Sequence, residues 1–173
     1  MASVVFFRAV NVGGFQKFQP TLLVKQLSHL DLMNVGAAGT FVVRKAISQS
    51  ALRAEILSRL PFQPELMICP ASEVTTLVGK EPFRTLPRDA RPFVSVMLKP
   101  PRKLPAFPLD QPAGSKWQVR VIGVGGRFAL SLWRRHERAV VYPNAVVEKS
   151  LGVAATSRSW NTIQTVGELL AER

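Results

Sequence analysis

The segment ATSRSWNTI, Ala155 to Ile163, gathers an Arg, a Trp, an Asn and four hydroxyl side chains into nine positions. Its chemistry is that of holding an anion. Arg158 offers a planar fork matched to phosphate or carboxylate, and it precedes a predicted helix start, where free backbone N–H groups favour negative charge. The same Arg158 would equally serve to pair with an acid of the protein itself. Asn161 is expected to cap that helix, with Gln164 three positions on completing a capping box, and Trp160 before it to staple against later apolar residues. Thr156 and Ser157 are expected to hold a turn through local hydrogen bonds. A second stretch, Arg8-Ala9-Val10-Asn11-Val12-Gly13-Gly14, delivers Arg8 from a strand into a Gly-rich turn that leads to Lys17 and a helix. Such turns can cradle phosphate through backbone N–H groups. The spacing is neither a Walker loop nor GxGxxG.

Catalytic groups are scarce. The three aspartates, Asp31, Asp89 and Asp110, all fall in expected loops, and no carboxylate pair suits glycosidase or two-metal work. His29 closes a helix, where a cation suits the dipole. His136 lies among arginines, which disfavour its charged form. Cys69 is the single cysteine, so an internal disulfide and a thiolate metal cage are excluded. It sits in an apolar run and reads as a core residue. No catalytic constellation, metal site or cofactor is expected. A centre built from Arg8, Asn11, Lys17, Thr156 and Arg158 would hold an anion but lack a base.

Charge is the strongest compositional signal. Lys and Arg number 23 against 11 acids in 173 residues, a net charge of +12 and a pI near 11.1. That balance points to nucleic acid, an anionic surface or a phosphorylated ligand. The cations concentrate in the second half, where Lys99, Arg102, Lys103, Lys116, Arg120, Arg127, Arg134, Arg135 and Arg138 have only Asp110 and Glu137 for acidic company. Lys116, Arg120, Arg127, Arg134, Arg135 and Arg138 form the expected nucleic-acid surface, with affinity from counterion release. Trp117 and Trp133 would stack unpaired bases, although core packing is the commoner use of tryptophan.

The elements that must position these groups follow from periodicity and punctuation. Ser3 to Val10 reads as a strand buried on both faces. Pro20 opens a helix with Leu23, Leu27 and Leu30 on one face. Met33–Val35 and Thr40–Val43 are strands. Ser48 or Ser50 caps a helix carrying Leu52, Ile56, Leu57 and Leu60, Pro61 stops it, and Leu66–Cys69 is a strand. That order is β-α-β-β-α-β, the ferredoxin-like arrangement. The predicted class is α+β: a ferredoxin-like subdomain over 1–80, then a second, smaller, basic α+β subdomain over 81–173 that includes the C-terminal helix. Ser72 caps a short helix to Lys80 that ends the first part; in the second, Phe93–Leu98 is a strand. Lys99–Pro112, rich in Pro, is a loop. Trp117–Ile122 and Arg127–Trp133 form a hairpin across Gly123–Gly126. Ala139–Tyr142 is a short strand, Val146–Leu151 a helical turn or two, and Thr162–Ala171 the closing helix.

No apolar run reaches the roughly 20 residues a bilayer span needs, and the first residues lack a basic signal-peptide start. A cytoplasmic protein without membrane contact is expected.

FRAVNVGG (Phe7 to Gly14), YPNAVVEKSLG (Tyr142 to Gly152) and LGVAATSRSWNTI (Leu151 to Ile163) resemble, in order and spacing, motifs of the bacterial family known as domain of unknown function 1697. The resemblance covers nearly the whole chain. It implies a ferredoxin-like subdomain followed by a second α+β subdomain, and no established activity. It also adds Asn144 and Lys149 to the candidate anion-binding residues Arg8, Asn11, Gly13, Gly14, Lys17, Thr156, Arg158, Trp160 and Asn161. This chain departs from the family's pattern. Ala38-Gly39-Thr40 stands where the family has Ser-Gly-Asn, Ser159 replaces an Asn, and the segment after Asn144 is shortened, with Lys149 as the stand-in for a Ser-Lys pair.

Three functions are compatible with these residues. The first is a non-enzymatic nucleic-acid-binding module using the basic surface. The second is an enzyme or sensor for a phosphorylated small molecule, held where Arg8–Gly14 and Thr156–Thr162 meet. The third is a structural or protein-interaction role.

Overall fold

The computed structural model describes residues 1–9, 17–135 and 140–172. It is an α+β protein with two antiparallel sheets. The chain divides into two compact units, Met1–Lys80 joined by the C-terminal segment from Thr162, and Glu81–Asn161.

In the first unit, strands β1 (Ser3–Phe7), β2 (Leu32–Asn34), β3 (Thr40–Val43) and β4 (Leu66–Pro70) form a sheet in the order β2-β3-β1-β4. Helices α1 (Pro20–Gln26) and α2 (Gln49–Leu57) complete the expected β-α-β-β-α-β path. Leu23, Leu27 and Leu30 are buried against Val5, Phe7, Phe41 and Ile68, but not as one helical face: α1 ends at Gln26, Leu27 is its C-cap and Leu30 lies on a separate 3-10 turn, Ser28–Leu30. Ser48 caps α2 by accepting a hydrogen bond from the Ala51 amide at 3.2 Å. Every residue of β1 is buried, because α3 (Ala71–Gly79) also packs against β1 and β4. Two further details differ from expectation. β1 stops at Phe7, and Arg8 and Ala9 do not continue it; Val10, the expected end, lies outside the described residues. α3 starts at Ala71 behind Pro70, so Ser72 lies inside the helix and is not its cap.

The closing helix α5 (Trp160–Ala171) also differs. From Thr162 onward it groups with the first unit and not with the second. An Arg44 Nη2 donates to the Leu169 carbonyl at 2.9 Å, and a Cβ built on Gly167 would come within 3.2 Å of Val78. A tight helix-to-helix approach of this kind favours glycine.

The second unit holds a five-stranded sheet, β6-β7-β8-β5-β9, made of β5 (Arg91–Met97), β6 (Leu109–Gln111), β7 (Val119–Gly125), β8 (Phe128–Trp133) and β9 (Ala155–Ser159). Helix α4 (Pro143–Leu151) packs across it and buries Val146, Val147 and Leu151 against Met97, Val119, Ala129 and Ala155. It ends at Gly152, whose left-handed φ of 68° lets its N–H reach the Glu148 carbonyl. Four readings need correction here. β6 lies inside the supposed loop Lys99–Pro112. Asp110 is on that strand and not in a loop. Val140–Tyr142 is not a strand; the rest of that segment, Ala139, lies outside the described residues. The residues of ATSRS form a strand instead of a turn.

Candidate functional site

Strand β9 carries the ATSRS residues of the Ala155–Ile163 segment. Register places Arg158 opposite Val94 and Thr156 opposite Val96, on one face, and Ser157 opposite Ser95 and Ser159 opposite Phe93, on the other. The Ser95 and Ser157 hydroxyls meet at 2.7 Å, and Ser157 therefore ties two strands together. Arg158 is only 6 % exposed. Its Nη1 donates to Thr156 Oγ1 at 2.7 Å and to the Ser157 carbonyl at 2.9 Å. Burial pulls its pKa down to about 10, which leaves it charged at neutral pH. The folded state gives up this proton before the unfolded chain does. Its contribution to stability therefore rises with pH above about 10, and at pH 7 its desolvation is a cost its hydrogen bonds must offset. Helix α5 begins at Trp160, which puts Asn161 within its first turn and not at its cap.

The basic residues do not make one patch. Arg127 and Arg134 sit at opposite ends of β8, roughly 20 Å of strand apart. Arg120 forms a bidentate pair with Asp110, at 2.7 and 2.8 Å, across the β6–β7 register. The Arg120 hydrogen bond, helped by its charge and that of Arg134, holds the Asp110 carboxyl below its ordinary range against the opposing effect of burial. A carboxylate with a lowered folded pKa contributes stability above its unfolded value near 3.8, lost as pH falls through the folded value. Asp110→Asn is expected to cost about 1 kcal/mol at pH 7. The gap from the native chain should close in urea unfolding below about pH 4.

Trp117 is 5 % exposed and packs under two guanidinium groups, Arg134 at 3.6 Å and Arg120 at 4.6 Å from its ring centre. Trp133 donates its indole N–H to the Val141 carbonyl at 2.8 Å and contacts Phe93 and Tyr142. Both tryptophans thus serve packing, the commoner of their two expected uses.

Arg134 is locked in place. Its Nε donates to the Trp117 carbonyl at 2.9 Å, its Nη2 to the Ser115 carbonyl at 2.8 Å, and its Nη1 faces Asp89 at 3.3 Å. It lines a cleft of about 230 Å³ with Asp89, Ser115, Lys116 and Arg135. Lys116 and Arg135 are exposed, and Asp89 is the cleft's single acid.

A larger cleft, about 380 Å³, is lined by Arg91, Pro92, Phe93, Ser159, Trp160 and Asn161. It forms where β9 stops opposite Phe93 while β5 runs two residues further, to Arg91. Trp160 and Asn161 come from the opening motif. Arg91 and Phe93 had no signal in the sequence, because what exposes them is the place where a neighbouring strand ends.

The remaining candidates are divided between the two units. Arg8 Nη1 lies 3.6 Å from Glu65 Oε1. Lys17 is exposed ahead of α1, while Asn144 is half-buried in the first turn of α4 and Lys149 exposed in its last. Asn11, Gly13, Gly14, His136 and Arg138 lie outside the described residues. Among the described residues no three His, Cys, Asp or Glu side chains gather into a metal-binding group, and no helix is long and apolar enough to cross a membrane.

No family model and no curated protein matches the chain. Among solved structures it is similar to the conserved bacterial protein SP0830 from Streptococcus pneumoniae, with a TM-score of 0.59 at 17 % identity over 98 % of both chains. At that identity the likeness extends to the fold, across both units.

Proposed function

We propose that this protein is a divergent member of the domain of unknown function 1697 family that binds nucleic acid without catalysing a reaction. The ferredoxin-like order and the second α+β unit are those the family resemblance implies. The observation that carries the binding reading is the Arg134 cleft. Two backbone carbonyls and the Trp117 ring fix its guanidinium, so little conformational freedom is lost when a phosphate takes its Nη1 in place of the exposed Asp89 carboxylate, 3.3 Å away. Lys116 and Arg135 add two exposed cations beside it. Arg120, neutralised by Asp110, is a support for Trp117 and not a ligand.

The test is fluorescence anisotropy of labelled single-stranded and duplex oligonucleotides across a salt series. Three phosphate contacts give a log–log slope of about −2 for single strands and about −3 for duplex. Absence of binding at about 50 mM salt would remove the reading despite the charge.

A further inference from the structure

The cleft between the overhanging start of β5 and the start of α5 differs in chemistry from the cationic one. Two of its six lining residues are aromatic, and none is acidic. Each ring is braced from outside the cleft. Phe93 meets Trp133 edge-to-face at 5.7 Å, and Trp160 meets Phe83 edge-to-face at 5.2 Å. Trp160 is almost wholly buried. These rings are fixed walls, suited to a flat apolar group.

Arg91 supplies the charge. It is exposed at the first position of β5, and register puts it on the same sheet face as Phe93 and Ser159. Among the described residues its guanidinium has no ion-pair or hydrogen-bond partner, in contrast to Arg120, Arg134 and Arg158. Ser159 and Asn161 add short polar groups between the aromatic walls and this cation. The volume, about 380 Å³, falls within the range of small-molecule sites.

We infer that this cleft is a binding site for a small planar aromatic molecule carrying one anionic group, phosphate or carboxylate, with the ring against Phe93 and Trp160 and the anion on Arg91. The site is separate from the Arg134 cleft and does not depend on nucleic-acid binding.

Calorimetric titration of the full chain tests it. Adenosine 5′-monophosphate and benzoate carry ring and anion together; adenosine has the ring alone and inorganic phosphate the anion alone. Saturable binding of the monophosphate or of benzoate is expected, at least tenfold tighter than either partial probe. Phenyl phosphate, which shares benzoate's ring, identifies the anion: tighter binding than benzoate assigns phosphate, weaker binding carboxylate. Arg91→Ala, an exposed position whose loss leaves the fold intact by circular dichroism, should weaken that binding about tenfold and leave adenosine unchanged. The inference is overturned if neither compound saturates, if adenosine matches the monophosphate, or if Arg91→Ala binds as the native chain does.

Discussion

Arg158→Ala is expected to lower the melting temperature by roughly 10 °C, the equivalent of about 3 kcal/mol for a chain of this size. The side chain is 94 % buried, so its removal leaves a cavity and takes a donor from Thr156 Oγ1 and the Ser157 carbonyl. Hydrogen bonds from a charged donor contribute about 1.5–3 kcal/mol each, a gain that the lifted desolvation of the guanidinium partly offsets on its removal. A second variant separates the causes. Arg158→Met keeps most of the volume and removes the desolvation cost that depresses the guanidinium pKa, so it should recover part of the loss. Differential scanning calorimetry of both variants beside the native chain reads the result. A native-like melt for Arg158→Ala, with lost affinity for an anion, would instead make Arg158 a ligand-binding group.

Neutralising the walls of the cationic cleft should have the largest effect on binding. In Lys116→Gln with Arg135→Gln, two phosphate contacts disappear. Each is worth about a factor of ten near 0.1 M salt through counterion release, so duplex affinity should fall about 100-fold and the salt slope should flatten by about 2. Both side chains are exposed, and the fold is expected to stay intact. Arg127→Gln, at the far end of β8, should leave the slope nearly unchanged. Equal losses from Arg127→Gln and the double variant would show binding by diffuse charge and not by the cleft.

The first unit was legible because its signals are local. Pro20 and Ser48 mark helix starts, Leu23, Leu27 and Leu30 mark the buried side of the segment that α1 opens, and the apolar runs of β1 and β4 are long enough to read as buried strands. β9 gave no such signal. Thr156 and Arg158 are polar yet buried, and Ser157 on the other face is matched to the buried Ser95, so no apolar alternation marks the strand. β6 is three residues long and hidden among prolines. The sum of positive charge was plain, but not its distribution. Nothing local shows that Asp110 neutralises Arg120 or that Arg127 is carried to the other end of a strand. The larger cleft was half visible, through Trp160 and Asn161. Its other half depends on β5 outrunning β9, which is a property of pairing and not of either segment alone.

The division of the chain has a consequence for the order in which the protein is made. The second unit is continuous, 81–161, whereas the first needs α5, which the ribosome delivers only after the whole of the second. Domains that are continuous can fold as they emerge. Here the β-α-β-β-α-β segment leaves the ribosome first but must wait, with Val78 not yet met by Gly167, while the later unit is free to fold ahead of it. The oldest part of the nascent chain is thus the last to be finished. Release of a nascent chain truncated before Thr162 would leave a folded basic unit tethered to an incomplete one.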